Sequence, residues 1–519
     1  MRTQVLRIGC YLFLAFLLFC DVLGQAAAQT LLPPVAIAPP AGSVLHARLG
    51  PPAVDKIADG ADAAREAGGD GAFPIDLATA LRLTNAANPT IAVARERAQQ
   101  AYYRQRRAEV MWLPDLQGGA SYNRHDGLLQ TSRGDVVSVS KWNFFDGGGA
   151  ALRLETGDAY FVPLVTRQLT RASVADARAV RDNVQLDVVV TYFDLVEAYG
   201  RLAVNREALG NALEMANVAE KAQIAGTGKT PADAQRARAE VQARIVERQE
   251  LEARAAQVAA RLAELLLLPP TIDLRPDISG LAPMEIIPLP AALDELVRLG
   301  LANRPEVAGS QALIGAADAR WRQARLAPLF PRLETYYSAG SFRGGLTQNT
   351  QDIGGRGDGG VQAIWELKNL GLGNIAEARL NRSFYDEATY HLRGVEARVG
   401  AEVSSAAKIA LASERSFRQA EKGVKEALDM WRILKLASFG LGGRDKRFDP
   451  LEPLIAEQQL ANARTQLLAA VIRYNKAQFA LYTALGQPAE CALPAITLPA
   501  AAPTIPAIPT GPLPRALPK

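Results

Sequence analysis

The 519 residues predict a mainly α-helical chain with a small β part, written twice over. Three observations carry that expectation. Leu77, Arg82, Leu83, Ala86, Pro89, Ala92, Ala101, Arg104, Arg106, Ala108 and Leu113 recur at one constant offset as Leu293, Arg298, Leu299, Ala302, Pro305, Ala308, Ala317, Arg320, Arg322, Ala324 and Leu329. Farther on, Pro231, Leu262 and Pro269 recur as Pro450, Leu481 and Pro488. Within each copy, long runs of four-and-three apolar spacing follow short runs of strict alternation. Two equivalent halves with long helices suggest a quasi-symmetric wall rather than one pocket.

The elements follow in order. Arg2 and Arg7, the apolar run Tyr11 to Phe19 and the small residues Ala26-Ala27-Ala28 make residues 1–28 a secretory signal, so the mature chain begins near Gln29, outside the cytoplasm. Cys20 as a lipid-bearing terminus would follow Phe19, where a small residue is wanted. With Cys10 and Cys20 removed, Cys491 is alone, which excludes an intramolecular disulfide and a thiol metal site. Residues 29–72 read as a Pro/Ala/Gly-rich mobile extension and 489–519 as a Pro-rich disordered tail. Repeat 1 covers 73–270 and repeat 2 covers 290–488, each as helix, strand pair and long helical hairpin. The proline cluster at 271–289 is the linker between them.

The hairpins are read from the seams. Val184, Val188, Thr191, Leu195, Ala198, Leu202, Asn205 and Leu209 step by four and three, as do Val399, Val403, Ala406, Ala410, Ser413, Phe417, Ala420 and Val424. The returning arms keep the rhythm, from Ala237 to Leu262 and from Ala456 to Leu481. Counted from Val174 to Ala225, the first outgoing arm is ~75 Å long at ~1.5 Å per residue. Many seam residues are Ala, Ser or Thr, which bury little area at ~25 cal/mol per Å², so the hairpins need neighbours.

The strands are read from a period of two. Leu116, Gly118, Ala120 and Tyr122 alternate with Gln117, Gly119, Ser121 and Asn123, and Val361, Ala363, Trp365 and Leu367 alternate with Gln362, Ile364, Glu366 and Lys368. Leu333 to Phe342 is the first strand of repeat 2. For the second strand of repeat 1, Val136–Phe145 and Ala151–Val162 both qualify, one pairing and the other a loop or accessory strand. One mainly apolar face and one mainly polar face suit a water-filled membrane barrel. No run beyond the signal approaches the ~20 apolar residues of a spanning helix. Four short strands are too few to close a barrel alone, since about eight is the practical minimum, so the chain must oligomerise to cross a membrane.

Other signals are weak. Gly226-Thr-Gly-Lys-Thr230 lacks the preceding glycine of a phosphate loop, because Gln223 stands there, and Pro231 follows; it reads as a hairpin turn with Thr230 capping the next helix. Arg133-Gly134-Asp135 and Arg356-Gly357-Asp358 read as polar loops after the first strand of each copy. His46, His125 and His391 are too scattered for a metal site or catalytic dyad, and no nucleophile or paired-carboxylate pattern emerges. A formal charge of +4, spread among acids along helices, gives no nucleic-acid footprint. The expectation is therefore no enzyme, no cofactor and no metal. In the second hairpin turn Lys446, Arg447, Asp449 and Glu452 crowd together, and acids at a helix start are favoured by the helix dipole alone.

Together, the Leu-x-x-Ala-Leu helix with Asn88-Pro89 and its repeat Arg304-Pro305, the Leu113-Pro114 and Phe330-Pro331 steps into strands, Phe145-Asp146-Gly147-Gly148 and Asn369-Leu370-Gly371 after the second strands, and the closing Ala484-Leu485-Gly486-Gln487-Pro488 resemble the TolC-like outer-membrane efflux protein family. The resemblance runs from Phe73 to Pro488. It implies a homotrimer in the outer membrane with a large periplasmic part. Each chain would give four strands to one shared β-barrel and its hairpins to a trimeric α-barrel, a passive duct for a tripartite efflux or type I secretion system. A periplasmic adaptor protein and an inner-membrane pump are the implied partners, beside outer-membrane lipid. The family's acidic constriction has aspartates three apart. Asp449 and Glu452 match that spacing with Glu in place of the second Asp, and Arg447 and Lys446 stand beside them as ion-pair partners. The adaptor-docking glycines fall at Gly226 or Gly228, with Thr230, and at Gly440 or Gly442. The alternative is a periplasmic adaptor or structural coiled coil, which has no reason to duplicate alternating strands.

Overall fold

A computed structural model describes residues 73–224, 231–277, 281–346, 351–439 and 452–495, all within one unit, Ile57–Lys519. The signal, the extension 29–72 and the chain beyond 495 lie outside the described residues. The first half runs β1 (Phe73–Ile75), α1 (Leu77–Ala87), α2 (Pro89–Glu109), β2 (Asp115–Gln130), β3 (Val136–Glu155), α3 (Thr156–Ile224) and α4 (Pro231–Leu266). After β4 (Leu274–Pro276), the second half runs α5 (Leu293–Asn303), α6 (Pro305–Leu326), β5 (Arg332–Leu346), β6 (Gln351–Ile364), α7 (Leu372–Phe439) and α8 (Glu452–Ala484). The two halves share one order of elements.

Local chemistry sets the breaks. Asn88 ends α1 with extended backbone and starts α2: its side chain accepts from the Thr90 and Ile91 amides at 2.9 and 3.4 Å, and Pro89 fills the first helical position, where no N–H is needed. The equivalent Arg304 has no side-chain cap and instead pairs with Glu306 at 3.0 Å and Glu402 at 2.7 Å. At the foot of β6, Asn369 and Leu370 have positive φ, and the chain turns sharply into α7.

The strands form one antiparallel sheet in the order β2-β3-β5-β6, and β1 pairs with β4 in a small parallel ribbon. Helices continue the sheet as a wall. Next to the sheet the order is α2, α3, α6, α7; farther away it is α4, α3, α8, α7. The long helices α3 and α7, of 69 and 68 residues, thus run the length of the wall, about 100 Å each. The shorter ones meet end to end. Asn88 Nδ2 donates to the Leu265 carbonyl at 2.9 Å where α4 ends and α2 begins. Gly486, at φ +80°, lies so close to the Asn303–Arg304 backbone that a Cβ would collide where α8 ends and α6 begins.

The largest core sits at this level. Val188, Tyr192, Phe193 and Val196 of α3, Leu262 and Leu266 of α4, Leu468, Ile472 and Phe479 of α8, and Ile75, Leu81 and Leu274 form one cluster. The proline-rich linker is stapled onto α8 by two buried amides. Asn475 accepts from the Met284 amide at 2.8 Å and donates to the Ala282 carbonyl at 3.1 Å, while Gln478 accepts from the Ile286 and Ile287 amides at 3.3 and 2.9 Å.

Five readings need correction. The helix α3 begins at Thr156, so its arm is longer than the ~75 Å expected, and Ala151–Val162 is strand only as far as Glu155. Val136–Phe145 and Ala151–Glu155 belong to one 20-residue strand because β5 pairs with it throughout. Phe145–Gly148 therefore lies inside a strand rather than after it; β3 and β5 approach so closely that a Cβ on Gly147 would strike the Ala339 carbonyl. Arg356-Gly357-Asp358 is likewise inside β6, whereas Arg133–Asp135 lies in the β2–β3 turn. Finally, the start of the expected disordered tail forms a 3-10 turn, Ala489–Ala495, with Ala489 and Ala492 buried in the main core.

Candidate functional site

The register sorts the sheet into two faces, because directly paired residues point to the same side. On one side lie Leu116, Ala150 and Tyr337 in one cross-strand row, Leu152, Thr335 and Val361 in another, and Leu154, Leu333 and Ala363 in a third. Tyr122, Trp142 and Phe144 belong to this face nearer the β2–β3 turn, where the Tyr122 and Trp142 rings are 6.2 Å apart. Arg124 and Asp126 interrupt it there, paired at 2.7 Å, and Ser140 donates to the same carboxylate. The other side carries Gln117, Ser338 and Asp358; Asn123 and Asn143, joined at 3.2 Å; and Arg153, Glu334 and Gln362. Arg153 and Arg332 hold Glu334 at 2.9 and 3.2 Å, and Arg332 reaches Glu155 at 3.7 Å. This is a charged network at the helical end of the polar face.

The edges β2 and β6 have no strand partner among the described residues. A sheet with two open edges and two unlike faces has obligatory backbone hydrogen bonds left to make. Below it, Leu367, Leu370 and Leu372 are exposed around the turn into α7, with Leu370 at 96%.

Most of the predicted site residues belong to the segments between α3 and α4 and between α7 and α8. Gly226, Gly228, Thr230, Gly440, Gly442, Lys446, Arg447 and Asp449 fall outside the described residues. Glu452 is the first residue of α8 and is exposed. His125 belongs to the polar sheet face and His391 to α7, far apart in the element order. Among the described residues no group of side chains could hold a metal ion, and no helix is long and apolar enough to cross a membrane.

Sequence reasoning missed a polar cluster where α8 packs on α3 and side chains of α4 reach across to it. Glu457 is 2% exposed, and around it stand Glu207 and Asn211 of α3 and Glu240 and Arg244 of α4, with Arg464 of α8 paired to Glu207. A signal was present. Beside the apolar seam Ala456, Leu460, Ala463, Leu467 runs a second one in the same four-three step: Glu457, Ala461, Arg464, Leu468, Val471, Asn475, Gln478. Its polar members Arg464, Asn475 and Gln478 join α8 to α3 and to the linker, beside Gln458 and Lys476, which reach Glu240 and Asp194.

No family model and no curated protein matches the chain by sequence. Solved structures do match in fold. The CmeC outer membrane channel of Campylobacter jejuni superposes with a TM-score of 0.66 at 18% identity, covering 79% of this chain and 85% of that one. The outer membrane protein VceC of Vibrio cholerae gives 0.65 at 18%, covering 79% and 96%, and the outer-membrane channel OprN gives 0.64 at 20%, covering 80% and 90%. The chain therefore has the fold of these outer-membrane channels, and the resemblance to the TolC-like family holds at the level of fold.

Proposed function

We propose that this chain is the outer-membrane channel of a tripartite efflux or type I secretion system, a passive trimeric duct from periplasm to exterior. The observation that carries the reading is the two-faced sheet with both edges open, continued by a wall of helices. Copies joined edge to edge, β6 to the next β2, satisfy the edge amides and carbonyls and close a barrel. The apolar rows then meet lipid, and the Arg153–Glu334–Arg332 network lines water. Such a duct needs no catalytic group, because flow follows the gradient that a pump sets up. Its hairpin turns, with Gly226, Gly228, Thr230, Gly440 and Gly442, are the docking surface for an adaptor helix.

The gate is assigned to Asp449 and Glu452. Three copies around one axis make a ring of like charge that narrows the tunnel and attracts cations. Arg447 and Lys446 would hold it shut through exposed pairs worth no more than ~1 kcal/mol each, weak enough for a docking partner to break. The test is extraction from outer-membrane fractions followed by single-channel recording. A trimer that conducts is expected, with Asp449→Ala and Glu452→Ala raising conductance and weakening block by divalent cations. Recovery as a soluble periplasmic monomer would overturn the reading, and unchanged conductance and block would move the gate elsewhere.

A further inference from the structure

The two hairpins touch below the main core through little apolar surface: Val204 and Ala208 of α3 against Ala461 of α8. Beside that contact Glu457 is buried, and its Oε2 has no hydrogen-bond partner among the described residues. The guanidinium that acts on it, that of Arg244, is already committed. Arg244 is held by Glu240 at 2.8 Å and by Glu247 at 2.9 Å, and Arg464 pairs with Glu207. Glu240 also accepts from Gln458 at 2.7 Å, and Glu247 from Asn205 at 2.9 Å. From α7, Lys435 reaches across to Glu214 of α3 at 3.0 Å. Around Glu457 itself, then, stand the carboxylates of Glu207 and Glu240, the Asn211 amide and one guanidinium, that of Arg244, which Glu240 and Glu247 already hold.

Burial is the main cause that holds the Glu457 carboxyl up at about 7; Arg244 and Asn211 pull it down, and Glu240 and Glu207 push it up. A neutral acid can donate as well as accept in this cluster. An ionised one is a desolvated charge beside other carboxylates.

We propose that Glu457 is a proton-operated latch between the hairpins: protonated, it keeps α8 packed on α3; ionised, it loosens that contact and frees the lower part of the second hairpin. The inference rests on the duct reading, in which movement of the hairpin ends opens the channel. The sign follows from linkage. The packed state binds this proton more tightly than the loosened one, so the latch is fully closed below the ordinary glutamate range and is lost as pH rises through about 7.

The test uses the full-length trimer in planar bilayers from about pH 5.5 to 8.5, wild type beside Glu457→Gln, a neutral isostere. Wild-type opening should rise several-fold with a midpoint near neutrality, while Glu457→Gln stays in the low-opening state throughout. A variant that follows the wild-type profile would overturn the latch. Hydrogen exchange over residues 456–465 gives a readout independent of conduction. After correction for intrinsic rates, protection should fall with rising pH in the wild type and hold constant in Glu457→Gln, and equal pH responses would also overturn it. Absence of any wild-type conductance, with the exchange difference intact, would instead strike the duct reading and leave the latch standing.

Discussion

The helix α3 passes through two regions that differ in what fills the space between the same three helices. At the waist, Val188, Val189, Tyr192, Phe193, Leu195 and Val196 pack with α4 and α8 in a core that also takes in α1, β4 and the closing 3-10 turn. Two or three turns lower the buried apolar clusters are small: Val204 and Ala208 with Ala461, and Leu209 and Ala212 with Val241. Secondary structure is continuous across both, so regularity of the backbone says nothing about how firmly the wall is held. Apolar area decides it: at ~25 cal/mol per Å², an alanine contact contributes a small fraction of a phenylalanine one. The consequence is a firmly packed waist and lower arms joined mainly by polar contacts.

The largest effect should separate these regions directly. Phe479→Ala at the waist should cost about 3–5 kcal/mol, as fully buried aromatic truncations do, whereas Val204→Ala should cost about 1.5 kcal/mol for two lost methyl-sized groups. Chemical denaturation in detergent measures both, and equal losses would break the distinction.

A smaller effect tests whether the linker strengthens the waist. Gln478→Leu removes the acceptor for the half-buried Ile286 and Ile287 amides and should cost about 1–2 kcal/mol for donors left unsatisfied. Limited proteolysis within 281–290 should accelerate in step. Unchanged nicking would mean that the strap is held by its apolar contacts alone.

The smallest effect compares the two end-to-end joints. Asn88→Ala loses a helix cap and a bond to Leu265, and about 1 kcal/mol is expected. At the other joint, Arg304→Ala removes ion pairs to Glu306 and to the half-exposed Glu402 and should cost less, about 0–1 kcal/mol. A larger loss at Arg304 would mean that its chain packs more than it pairs. Thermal denaturation of both variants side by side gives the ranking.

The same contrast explains what was legible in advance. Seams such as Val399–Val403–Ala406–Ala410 and alternations such as Leu116–Gly118–Ala120–Tyr122 are local periods, and each element they announce is present. The start of α3 was misplaced by the stretch before Val174, where Thr156, Gly157 and Pro163 discourage a helix reading. There the helix is completed by its neighbours: Thr170 donates to the Ala101 carbonyl at 3.1 Å, and Phe161 packs edge-on against Phe330 with ring centroids 6.1 Å apart. Glu457 is not marked by spacing, because its heptad step matches an exposed glutamate's as well as a buried one's.

By itself, then, the sequence determined the helical hairpins, the alternating strands, the twofold order of elements and the expectation of partner chains. All of these follow from side-chain periodicity and from the small size of the seam residues. Only the tertiary structure decided that Val136–Glu155 is one strand, that α4 meets α2 and α8 meets α6 end to end, that Asn475 and Gln478 staple the linker, and that Glu457 lies buried among carboxylates. Those outcomes depend on which distant backbone comes within hydrogen-bond reach, and no spacing along the chain records that.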